Sequence, residues 1–169
     1  MGVFTGMDAS ASALTAQRVR LDLIANNIAN ASVTHSRRTT AAGNPIPYRR
    51  QLAVFQSKQP QAANFAAHLA SRQGYLNGVT SSNGLGTGVK VARIVEDPSD
   101  FKLVYDPNSP DAAKVEEDGI PVGYVRMPNV NLVEEMIDMI SATRAYEANI
   151  TAMNASKTMA SRALDIGRS

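Results

Sequence analysis

Heptad patterns at the two ends of this chain constrain its fold more than anything between them. Phe4, Met7, Ala11, Leu14, Arg18, Leu21, Ala25 and Ile28 follow one another at alternating steps of three and four residues. Leu132, Met136, Met139, Thr143, Tyr146, Ile150, Met153, Lys157, Ala160 and Leu164 do the same near the other end. A repeat of 3.5 residues keeps one seam of a helix facing a partner helix. At 1.5 Å per residue the second helix is roughly 55 Å long, more than a ball of this chain length covers. Val133, Ile137 and Ile140 widen its apolar face beyond a single seam, and the methionines make that seam adaptable. A helix apolar on more than one side needs more than one neighbour, so the pattern favours assembly over a private helix pair.

Boundary signals agree. Asn131 followed by Glu134 offers an N-cap for the last helix, with Pro128 before it, and Gly167 lies where that helix should stop. Thr5 with Asp8 is a weaker start for the first. All eight prolines fall between Pro45 and Pro128, and that middle reads differently. QLAVF (51–55), VKVARIV (89–95) and the alternating Phe101, Leu103 and Tyr105 predict three or more short strands in a small β unit. Between them, a short helix on Phe65, Leu69 and Leu76 and a turn-rich SSNGLGTG are expected. The expected fold class is α+β, mainly α: long N- and C-terminal helices pairing in a coiled-coil-like tube element, with a small β-rich inserted domain. The expected division is 1–44 for the N-terminal axial helix and following loop, 45–127 for the β-rich outer domain, and 128–169 for the C-terminal axial helix.

Composition removes several function classes. A formal charge of +2 is too mild to argue for nucleic acid or an anionic membrane. The absence of cysteine excludes disulfides, thiolate metal sites and thiol catalysis. No run of about 20 apolar residues predicts a membrane-spanning helix, and MGVFTGMDASASALTAQR lacks the basic and apolar regions of a Sec-type leader. His35 and His68 have no acidic or cysteine company at ligand spacing, so no metal site is expected. Gly84, Gly86 and Gly88 lead into a strand, not into the helix a phosphate loop requires. EDPSD (96–100) and YDPNSPD (105–111) read as turns, and HSRRTT with YRR (48–50) as a solvated loop or a meeting point with an acidic neighbour. No catalytic arrangement stands out, on peptidoglycan or any other substrate, so neither an enzyme nor a cofactor is expected. The alternative to an assembly subunit is a self-contained soluble coiled-coil adaptor, whose two seams satisfy each other.

LIANNIANA, YVRMPNVNLVEEMIDMISATRAYEANI and SKTMASRALDIGR resemble the bacterial flagellar rod, hook and axial protein family. MPNVN and RAYEAN (Arg144 to Asn149) are specific as a pair, whereas ANNIANA is shared more widely among rod and hook proteins. The resemblance covers roughly residues 4–56 and 88–168. SKQPQAANFAAHLASRQGYLNGVTSSNGLG, about 57–86, reads as an extra segment, and KVEEDGIPV near 114–122 as a longer one. The resemblance implies a structural subunit of the basal-body rod, in its proximal part, acting as periplasmic drive shaft and export-channel wall. It implies other copies of the chain and other rod proteins as partners, with the surrounding rings and the type III export apparatus. Export without a cleaved signal peptide follows from the same likeness, while neither nucleic-acid binding nor membrane insertion is expected from the charge balance and the apolar runs.

The residues expected to pack between subunits lie on both helices: Leu14, Leu21 and Ile28 on the first, and Leu132, Met136, Met139, Ile140, Tyr146, Ile150, Met153 and Leu164 on the last. Asn26, Asn27 and Asn30 at the end of the first helix are expected to bond between subunits, since asparagine suits helix ends. Asn131, Arg144, Glu147, Asn149 and Lys157 complete the expected set. Arg18 and Lys157 break otherwise apolar seams and are expected to meet Asp138 or Glu147 of a neighbour.

Overall fold

A computed structural model describes residues 3–36, 38–41, 43–58, 88–117 and 119–166. In chain order the elements are α1 (Val3–Ala29), β1 (Gln51–Ser57), β2 (Val89–Glu96), β3 (Lys102–Tyr105), β4 (Tyr124–Met127) and α2 (Leu132–Ile166). Two long terminal helices and an inserted set of short strands make an α+β chain, as the patterns predict. The expected helix on Phe65, Leu69 and Leu76, the SSNGLGTG turn, His68, Gly84, Gly86, Gly167 and most of the extra segment near 57–86 lie outside the described residues.

The chain divides into two compact units. One comprises Met1–Ala16, Phe55–Ala92 and Tyr146–Ser169, the other Gln17–Val54 and Arg93–Ala145.

The strands form two separate two-stranded sheets, β1–β2 and β3–β4, where one β unit was expected. β4 escapes prediction because Val125 and Arg126 are both buried, so YVRM shows no alternation of faces. β3 and β4 are antiparallel, with Lys102 opposite Met127 and Tyr105 opposite Tyr124. The paired tyrosine rings lie 5.1 Å apart, a tilted contact that aromatic pairs favour. A two-stranded sheet is marginal alone, and this one is tied down at its end. Ala113 donates its N–H to the Tyr124 carbonyl and accepts from Gly123, which buries Ala112 and Ala113 beside Val125. The β1–β2 pairing extends past both strands, from Lys58 N–H on the Gly88 carbonyl to Asp97 N–H on the Arg50 carbonyl.

Each loop is held by a side chain. Asn44 is 2% exposed; its Oδ1 accepts Lys114 N–H and its Nδ2 donates to the Val115 carbonyl. Thr34 donates its hydroxyl to Asp111 at 2.6 Å. Of the two acidic Pro segments, YDPNSPD forms the expected turn, where Asp106 accepts Asn108 N–H. In EDPSD Asp97 accepts Ser99 N–H, but residues 97–100 run as irregular chain after β2.

α1 buries Ser12, Ala16, Leu23, Ile24 and Asn27, a line separate from the seam expected to pack between subunits. Leu14, Leu21 and Ile28 are half-buried, and Ala11, Arg18 and Ala25 exposed. At 100° per residue they occupy the side of the helix facing away from the buried line. α2 shows a related shift. Met139, Tyr146, Met153 and Ala160 are half-buried as the heptad predicts, but Met136, Thr143, Ile150 and Lys157 are exposed. The second inward line is Glu135, Ala142, Asn149 and Ser156, one residue earlier, with Glu135 and Ala142 buried.

Candidate assembly surface

Two features define this surface: a buried polar clasp that fixes the end of α1 against the start of α2, and the apolar faces turned away from it. The clasp begins at Asn27, 1% exposed. Its Oδ1 accepts Gln51 N–H at 3.0 Å and the Tyr48 hydroxyl at 2.9 Å, and its Nδ2 donates to the Gln51 carbonyl at 3.0 Å and Glu135 Oε2 at 3.1 Å. Two acceptor and two donor positions are all an asparagine amide offers. The expected bond between subunits at Asn27 is therefore corrected: its capacity is taken up inside the chain. Asn30 Nδ2 bonds Asn26 through both the carbonyl and Oδ1, at 2.8 and 2.9 Å. The Asn26 carbonyl thereby accepts twice, from the Asn30 side chain and from Asn30 N–H at 3.1 Å.

Arg50 is the other half of the clasp. Its Nε donates to Glu135 Oε1, its Nη2 reaches Asp138 at 3.3 Å, and its Nη1 lies 3.8 Å from Asp97. Asp138 also accepts from Arg20 at 2.8 Å, which ties α1 to α2 a second time. So Asp138, expected to pair across subunits, is occupied by two arginines of its own chain. Arg50 N–H donates to Asn129 Oδ1, while Asn129 Nδ2 holds the carbonyls of Asp97 and Ser99. Arg49 lies 4.5 Å over the Phe101 ring. The YRR cluster thus meets acidic neighbours, as expected. His35 lies 3.7 Å from Asp111, and Arg38 3.3 Å from Glu96.

Electrostatics follow from these contacts. Burial, with the nearby carboxylates of Glu135 and Glu96, raises the Tyr48 phenol above its ordinary value. Bonds from the Ser99 backbone and hydroxyl, with Arg50 and Arg49 nearby, hold Asp97 below the usual carboxylate range.

Asn131 caps α2, accepting Val133 N–H on its side chain and Glu135 N–H on its carbonyl. Beyond it Leu132, Val133, Met136, Ile137 and Ile140 are 48, 64, 55, 62 and 63% exposed. Arg144, Glu147, Ile150, Lys157 and Leu164 are also exposed, whereas Asn149 is half-buried on the inward side. Among the expected residues, then, Asn131 and Asn27 act within the chain, and the exposed apolar and charged ones face outward. Sequence reasoning missed Tyr48, Asn129 and Glu135. Glu135 stands beside Glu134 in LVEEMI, and nothing in the local sequence marks it as the buried one of the two. Among the described residues no group of three or more potential ligands could hold a metal, and no helix is long and apolar enough to cross a membrane.

Known proteins carry the same arrangement of sequence. Residues 7–35, spanning most of α1, match a family model described as flagella basal body rod protein. Residues 122–166, spanning β4 and α2, match one described as flagellar basal body rod FlgEFG protein C-terminal. A Bacillus subtilis (strain 168) protein named flagellar basal-body rod protein FlgC is 45% identical, over 99% of this chain and 100% of its own. Its namesake in Borreliella burgdorferi is 48% identical over 98% of each chain, and that of Escherichia coli O157:H7 is 35% identical over 99% and 100%. With both terminal helices matched by family models and whole-length relatives at these identities, the chain belongs to the FlgC family of flagellar basal-body rod proteins.

Proposed function

We propose that the chain is a structural subunit of the flagellar basal-body rod, held there by its terminal helices. The observation that carries this reading is the pair of outward apolar faces, Leu14, Leu21 and Ile28 on α1 and Leu132, Val133, Met136, Ile137 and Ile140 on α2, in a chain of the FlgC family. An adaptor complete in itself would turn those seams toward each other. In a rod they are buried against neighbours, each contributing at roughly 25 cal/mol per Å² of apolar surface removed from water.

The clasp gives the subunit its mechanical role. Arg50, Asn27, Glu135 and Asp138 lock the helix ends to the first strand, so load entering one element passes to the next without a hinge between them. In this reading residues 1–44 and 128–169 are the axial helices, paired as in a coiled coil, and 45–127 is the outer domain. The assembled subunits form the periplasmic drive shaft and the wall of the export channel. The neighbours are further copies, other rod proteins and the surrounding rings. Delivery by the type III export apparatus, without a cleaved leader, rests on kinship with rod proteins. The role is mechanical, not enzymatic.

The test is complementation of a strain lacking the gene. The unaltered chain restores swimming, whereas Ile137→Asp combined with Ile140→Asp abolishes it, with circular dichroism of the purified chain unchanged. Full swimming with both aspartates present would sink the assembly role of this face.

A further inference from the structure

Among the described residues three buried side-chain atoms have no hydrogen-bond partner: Gln17 Oε1, and Nε and Nη2 of Arg126. The other buried polar side chains, Ser12, Asn27, Asn44 and Glu135, are all bonded within the chain. Arg126 is 8% exposed, and an arginine does not shed its proton to escape burial. A buried charge without a counterion is costly, so this guanidinium calls for an anion. Its two unpartnered nitrogens share one edge of the planar group, and such an edge holds both oxygens of a carboxylate at once.

Strand register shows what lies beside it. Leu103 stands opposite Arg126 and Tyr105 opposite Tyr124, so all four project from one side of the β3–β4 sheet. Leu103 and Tyr105 are 43 and 64% exposed. Asp106 N–H bonds the Gly123 carbonyl in the same register. Val104 and Lys102 therefore turn their backbone groups to β4, while Leu103 and Tyr105 turn theirs to the outer edge of β3. We propose, resting on the rod-subunit reading, that an acidic extended segment of a neighbouring rod subunit lies along that edge and sets a carboxylate on Nε and Nη2 of Arg126.

The sheet decides between two sources of that carboxylate. A small free anion uses neither the outward backbone groups of β3 nor the apolar surface of Leu103 and Tyr105. A strand added at this edge uses backbone bonds, apolar contact and charge together. Its residue opposite Leu103 stands two strand spacings from Arg126, roughly 9–10 Å, which an arginine and a glutamate side chain span between them. Nε and Nη2 are shut off from water in the free chain, so a side chain must turn to admit the carboxylate. Exposed side chains change rotamer within nanoseconds. The cost of the unpaired charge is then relieved only on assembly, which favours the rod over the free subunit.

Arg126→Met, which removes the charge and keeps most of the bulk, tests this with two readouts. In the free chain it should raise the urea midpoint by about 0.5 M, whereas loss of a residue that merely holds the fold lowers it. Expressed in equal amount beside a differently tagged unaltered chain, in a strain lacking the gene, the variant should reach isolated basal bodies at about a tenth of the unaltered level. A midpoint that does not rise, or equal amounts of both chains in basal bodies, overturns the proposal and leaves the rod reading standing. Sodium acetate separates the sources. If it raises the midpoint of the unaltered chain above that in equal sodium chloride, but not that of Arg126→Met, and both chains reach basal bodies equally, the ligand is a free carboxylate and the neighbour is overturned. An unaltered chain present in the cell but absent from basal bodies overturns both readings.

Discussion

Arg50 is the residue on which the clasp most depends. Glu135 is 1% exposed, and its two oxygens are held by Arg50 and Asn27. Removing one partner from a buried pair leaves a charge with neither water nor counterion, which costs about 3–5 kcal/mol. Arg50→Met should therefore destabilise the chain by about that amount, seen as a lowered midpoint in urea unfolding. Arg20→Met is the control. Its pair with Asp138 has side chains 32 and 37% exposed, a setting in which a salt bridge contributes about 1 kcal/mol or less, and Asp138 keeps Arg50. Equal midpoints for the two variants would mean that Arg50 acts as a surface residue and that the clasp does not anchor the fold.

At the scale of elements, β2 meets α1 through one hydroxyl. Ser12 Oγ donates to the Ala9 carbonyl at 2.7 Å and accepts Val89 N–H at 3.0 Å. Gly88 precedes that strand at φ +86°, and a Cβ there would lie 2.2 Å from the same oxygen. Gly88→Ala thus meets left-handed strain of about 1–2 kcal/mol together with displacement of Ser12. The expected loss is about 2–4 kcal/mol, and Ser12→Ala should recover the part due to the clash, so the double variant loses less than the sum of the two. Strictly additive losses in urea unfolding would place the effect in the backbone alone. The strand start at Val89 is legible in VKVARIV, yet its seat on Ser12 is not, because no periodicity joins residues 12 and 89. The helices divide in the same way. Their existence, ends and cap at Asn131 follow from apolar spacing and capping chemistry. The side each turns inward does not, because the buried lines carry Ser12, Asn27, Glu135 and Asn149, polar residues an apolar count passes over. Leu14, Leu21 and Ile28 show a helix seam without saying whose partner fills it. The asparagines of ANNIANA mark the helix end correctly; that Asn27 serves Gln51, Tyr48 and Glu135 depends on contacts up to 108 positions away.

The same contrast sets how firmly each stretch of the whole molecule is held. From Leu132 to Ala145, α2 carries the buried Glu135 and Ala142 and the bonds to Arg20, Arg50 and Asn27. Past Glu147 its residues are exposed or half-buried, and Leu164 and Ile166 are 72 and 77% exposed. Local opening is cheapest where few apolar contacts must break, and a protease finds those places first. With dilute chain and trypsin, cuts after Lys157 and Arg162 should precede cuts after Arg20 and Arg50, followed by mass spectrometry of the fragments over time. In isolated basal bodies the order should disappear under the proposed assembly, in which neighbours cover the end of α2, since binding partners suppress opening by mass action. Early cleavage after Arg50 in the free chain would mean that the clasp is not the stable centre. Unchanged early cleavage after Lys157 in basal bodies would mean that this end of α2 stays uncovered in the assembled rod. The free subunit should thus be firm around the clasp and loose at the end of α2, with stiffness along α2 supplied by its neighbours.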